Sequence, residues 1–178
     1  MNLNSPLFKV PAKFGAFGAA MVIVMFCLYY FTGLNPLTKM GVFDFFIIPI
    51  FLFFGIKEFK DSYNKRLLEF WQGMTAGFTI YFTLAMITSI FIFIFINLDE
   101  RSTKEDYVAD RLEILKEKKE DIIKKMGIIT YEQSEKEILE ITVFDIAFDN
   151  FLKKTLIGLL LTIMIAVIMR RKPIEELT

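Results

Sequence analysis

The 178-residue chain contains no histidine. That removes the side chain whose ordinary pKa suits proton transfer near neutrality, and with it the commonest nitrogen ligand for zinc. Its one cysteine, Cys27, has no partner for an intramolecular disulfide, and the "VMF" before it lacks the small residue that a lipid-attachment site wants. No phosphate loop, GxGxxG, CxxC, HExxH or GxSxG pattern occurs. Nor is there an excess of either charge, since 21 Lys and Arg stand against 21 Asp and Glu. These absences lead us to expect a non-enzymatic chain with no metal, no cofactor and no nucleic-acid partner.

What is abundant is apolar side chain: 54% of residues are hydrophobic, Phe alone occurs 21 times, and the mean hydropathy is +0.48. A membrane span needs about 20 apolar residues, because the hydrocarbon core is roughly 30 Å thick and a helix rises about 1.5 Å per residue. Phe14 to Phe31, Leu37 to Ile56 and Phe70 to Leu98 are long enough. The first run follows Lys9 and Lys13 as a signal peptide would, but no small-x-small cleavage site comes after it, so it reads as an uncleaved span. A fourth run, Thr155 to Met169, is short. Counting about 20 residues back from Met169 starts it near Asn150, with the stems of Lys153 and Lys154 reaching out to the interface. The expected fold is an all-α integral membrane protein with four transmembrane helices at about 14–31, 37–56, 70–98 and 150–169. Residues 1–98 then form spans one to three, 99–148 a charged extracytoplasmic helical hairpin, and 149–178 the fourth span with a basic tail.

Positive residues set the orientation. With both termini cytoplasmic, Lys9 and Lys13, then Lys57, Lys60, Lys65 and Arg66, then Arg170, Arg171 and Lys172 all lie inside, and only Lys39 marks the first outer loop. In the hairpin, "STKE" from Ser102 reads as a capping box, and Val108, Leu112, Leu115, Ile122 and Met126 follow at helical spacing, interrupted by Lys119. Gly127 suits a helix end. "TYEQ" from Thr130 reads as a second capping box, and Ile138, Ile141, Phe144 and Phe148 carry its stripe onward, so the second arm is expected to run unbroken into span four.

Asp44 lies seven residues into the second span, about 10 Å deep, where an unpaired charge costs roughly 2.5–3.5 kcal/mol. Lys153 and Lys154 enter from the same side and point about 100° apart, so one of the two is expected to face it. Asp145, Asp149 and Lys153 follow at intervals of four. These charges read either as a pin between spans two and four or as a polar path for protons or a cation. Gly73 and Gly77 in span three, with Gly15 and Ala19 in span one, have the small-xxx-small spacing that lets helices approach closely, expected within the chain rather than between copies.

The order of these features resembles the bacterial inner-membrane family filed as domain of unknown function 4199. The likeness rests on the glycine-rich first span, "GIKEFKD" (Gly55 to Asp61), "FWQGMTAGF" (Phe70 to Phe78), "KKMGIITYEQSEKEI" (Lys124 to Ile138) and "MRRKP" (Met169 to Pro173). It implies an inner-membrane protein of about four spans and carries over no catalytic residue. The function expected is an accessory or structural subunit of an envelope complex, bound to the bilayer and to another membrane protein or itself. One specific form, by analogy of layout alone, is a helper for an enzyme using polyprenyl phosphate. The alternative is a small oligomeric transporter or channel using Asp44 with Lys153 or Lys154.

Overall fold

The computed structural model describes residues 5–99 and 102–171, the side chains at positions 40 and 42 excepted. Helix α1 (Pro6–Phe31) begins well before the apolar run, with Pro6 in the first turn, where a missing N–H costs nothing. Helix α2 (Pro36–Glu58) is capped by Asn35, whose side-chain oxygen accepts from Leu37 N at 3.0 Å. It unwinds through a π turn at Phe59–Tyr63 into two left-handed residues, Lys65 and Arg66. The amide of Asn64 holds that turn by donating to Leu67 O and to Gln72 Oε1, both at 2.8 Å. Leu68, fully buried, and Arg171 exchange backbone hydrogen bonds of 2.9 Å, which tie the α2–α3 connection to the far end of the chain. Lys172 and Pro173, expected to close that end, lie outside the described residues.

Helix α3 (Phe70–Leu98) is the centre of the bundle, packed lengthwise against α1 and against α7 (Val143–Met169), while α2 bridges α1 and α7. Among the described residues, three helices, α1, α3 and α7, are long and apolar enough to cross a membrane. Their packing runs through small residues. A β carbon on Gly15 would come within 2.6 Å of the Ile80 carbonyl oxygen, one on Gly73 within 2.9 Å of Ala166, and one on Gly77 within 2.2 Å of Thr162. Ala19 is fully buried beside them. The glycine pair of α3 therefore seats α7 within the same chain. The stripe it meets, Gly158, Thr162 and Ala166, has the same spacing of four, a signal present in the sequence itself. Where lipid supplies no hydrophobic drive between helices, such close contact is what holds them.

The segment between α3 and α7 departs from expectation in four places. Its first arm is two helices, α4 (Thr103–Glu117) and α5 (Lys119–Met126), broken at Lys118. Ser102 does not cap α4 through its side chain and is itself left-handed; the cap is Asp99, whose Oδ2 accepts from Thr103 N at 2.9 Å. Thr130 does not start the next helix either. Helix α6 (Ile128–Leu139) begins immediately after Gly127, and the Thr130 hydroxyl donates back to Met126 O at 2.9 Å.

The second arm is also not continuous with the last span. It ends at Leu139, and α7 starts afresh at Val143 because "TVFD" is a true capping box. Thr142 Oγ1 accepts from Asp145 N at 3.2 Å, and Asp145 Oδ2 accepts from Thr142 N at 2.8 Å. Two local helix starts compete for this stretch, and the reciprocal cap wins over a continuous apolar stripe. Replacing Thr142 with Ala is expected to cost about 1 kcal/mol locally, read as faster amide hydrogen exchange through the first turns of α7.

Candidate functional site

Asp44 and Lys154 are the only charged side chains buried among the described residues, 6% and 1% exposed. Asp44 hangs from the third turn of α2, and Lys154 faces it from α7. Lys154 Nζ donates to Asp44 Oδ2 at 2.6 Å and to Asn150 Oδ1, one turn back on its own helix, at 2.9 Å. An ammonium carries three hydrogens, so one N–H remains beyond these two bonds. Asp44 Oδ1 has no partner among the described residues.

Lys153, turned to the outside of α7, forms an ion pair with Asp149 instead, both about half exposed. Such an exposed i, i+4 pair contributes only about 0.3–0.5 kcal/mol. Of the two lysines the sequence left open, Lys154 thus takes Asp44, and the third acid of the row, Asp145, is spent on the α7 cap.

Above the pair lies a cleft of about 270 Å³ between the start of α2, the middle of α4 and the first turns of α7. Thr38, Tyr107, Arg111 and Asp149 line it together with the buried pair. Thr38 donates its hydroxyl to Asp110 Oδ2 at 2.6 Å, which fastens α4 over the mouth. The Arg111 guanidinium lies 5.8 Å from the centre of the Tyr107 ring, and Tyr107 itself is buried in the apolar cluster of Val22, Phe26, Ile96 and Ile146. Asn150 was findable from its position four residues before Lys154. Arg111, Tyr107 and Thr38 were not, because only folding brings α4 onto α2.

Toward the other end of the bundle the interior is filled by Ile48, Leu52, Ile56, Ile80 and Leu84, all essentially inaccessible. Among the described residues, buried charge is therefore confined to one end. A buried ion pair with a further hydrogen bond offsets much of its own desolvation, and removal of either partner leaves the other charge stranded. The arrangement suits a fastener between α2 and α7.

Over the described residues, these features define an all-helical protein with helices long and apolar enough to cross a membrane and one buried ion pair near an end of the bundle. The chain belongs to the family described as protein of unknown function DUF4199, whose model matches residues 13–171. No curated protein and no solved structure matches it.

Proposed function

We propose that the chain is a four-span, non-enzymatic accessory or structural subunit of a bacterial inner-membrane envelope complex, with both termini cytoplasmic and α4 to α6 forming a hairpin on the outer side. Helix α2, 23 residues long, serves as the further span, and the Asp44–Lys154 pair pins it to α7. The observation that carries this reading is the confinement of buried charge to one end, above an apolar, closely packed interior. Beyond that pair, the buried polar side chains of the described span residues are the hydroxyls of Thr88, Ser89 and Thr162, with no further charge. Broad apolar faces, including Leu156, Leu160, Met164 and Ile168 of α7, are left for lipid or for a partner's helices. A partner acting on polyprenyl phosphate remains the specific form of this proposal, by layout alone.

Purification from the native membrane in mild detergent, followed by mass spectrometry of what remains at stoichiometric amounts, tests it. One reproducible membrane partner is expected, retained when Asp44 and Lys154 are replaced together by apolar residues. The transporter reading keeps one observation of its own, the unpartnered Asp44 Oδ1 beside the cleft. A protein that emerges alone and conducts ions in liposomes, losing conduction on Asp44→Asn, would establish that reading and overturn ours.

A further inference from the structure

The turn between α5 and α6 carries apolar side chains that the described residues leave largely open: Met126 is 66% exposed, Ile128 48% and Ile129 76%. Gly127 sits between them at φ 89, ψ 163, a backbone region open in practice only to glycine, which reverses the chain sharply and gathers the three at one tip. Lys124 and Lys125 stand just before that tip and Lys118 at the start of α5, all exposed and without an ion pair among the described residues.

The direction of α4 indicates what the tip meets. Asn35 Nδ2 donates to Thr103 O at 3.3 Å, and Thr38 donates to Asp110 Oδ2 at 2.6 Å. Advancing from residue 103 to 110, about 10 Å along α4, moves the contact from residue 35 to 38, about 4.5 Å down α2. Ile114, one turn on, lines the same cleft as Gly41 and Asp44. Helix α4 thus slopes back along the bundle instead of standing away from it. Where α1 and α3 end and α7 begins, the apolar belt is still present, with Phe31, Leu98 and Phe144 each more than half exposed. The first helix of the hairpin is thus held against the side of the bundle, beside that belt.

We propose that the α5–α6 turn is a membrane-surface anchor. Met126, Ile128 and Ile129 enter the boundary between headgroups and acyl chains of the bilayer that the spans cross, and the three lysines meet lipid phosphates, the usual division of labour in an interfacial segment. This rests on the proposed membrane-spanning arrangement. It makes the segment part of the protein's lipid interface instead of a free outer docking arm.

The test uses the full chain, with Trp71 replaced by Phe and a single tryptophan returned at one site, reconstituted in phosphatidylcholine vesicles with and without phosphatidylglycerol. Ile129→Trp should emit to the blue of a solvent-exposed tryptophan. It should lose more intensity to lipids brominated near the headgroup than to lipids brominated near the chain end, and more with phosphatidylglycerol present. Leu156→Trp, on the exposed face of α7, reports the span itself and should be quenched by the deep bromines. Glu113→Trp, on the exposed side of α4 that faces the α1–α2 connection, should be quenched by neither. An unquenched Ile129→Trp beside a quenched Leu156→Trp would overturn the anchor and leave the spans standing. Equal quenching at positions 129 and 113 would also overturn it. Failure at both 129 and 156 would overturn the membrane reading beneath it.

Discussion

Lys154→Met should destabilise the folded protein by about 3–5 kcal/mol, because it strands the Asp44 carboxylate in a site only 6% exposed. The same change leaves Asn150 Oδ1 without its donor. Asp44→Leu alone should be costly for the mirror reason, a stranded ammonium left with its bond to Asn150 among the described residues. The double variant Asp44→Leu/Lys154→Met removes both charges and replaces them with apolar groups of similar length. Such replacements are often neutral or stabilising by about 1–4 kcal/mol, so the double variant should recover most of what either single change loses. Thermal unfolding in detergent, run on all four proteins, gives the coupling directly. A wild-type melting curve for Lys154→Met would refute the pin. Failure of the double variant to recover would mean that the pair does more than hold two helices together, and would favour the transporter reading.

Gly77→Ala is expected to cost about 1–3 kcal/mol, the range for overpacking a close contact, although it would be mild or favourable in an exposed helix. The added carbon would lie 2.2 Å from Thr162 Cγ2 and 2.6 Å from its Oγ1. Thr162 is fully buried, and its β-branched side chain has few rotamers to retreat into. The strain must therefore separate α3 from α7, the most extensively packed pair in the bundle. Thr162→Ala removes both offending atoms at once. Because Thr162 Oγ1 has no hydrogen-bond partner among the described residues, that change alone should be nearly neutral, and in combination it should restore the melting temperature of Gly77→Ala. A Gly77→Ala variant that melts like the wild type would show that the two helices are not in contact along this seam.

The parts of the site that were legible are those carried by local spacing. Asp44 announced itself as a charge inside an apolar run, and Lys153 and Lys154 as the nearest cations at matching depth. The choice between the lysines was not legible, since neighbours about 100° apart on a helix differ only in which way α7 is rotated, and the Gly158–Thr162–Ala166 seam sets that rotation. Helix starts were misread for a related reason. "STKE" and "TYEQ" match a capping pattern, yet Asp99 and Gly127 offer stronger local solutions just upstream, and "TVFD" was passed over because an apolar stripe ran across it.

The sequence by itself determined the long apolar helices, the small residues on which they pack, the glycine that reverses the chain at position 127, and the need of Asp44 for a partner. All of these follow from solvation and from short-range backbone geometry, which act on neighbours along the chain. Only the tertiary structure decided that Lys154 and not Lys153 answers Asp44, that α4 folds back over the mouth of the bundle with Arg111 and Tyr107, and that α7 begins anew at Thr142. Those depend on how helices rotate and slide against one another, and that is settled by packing between residues far apart in the chain.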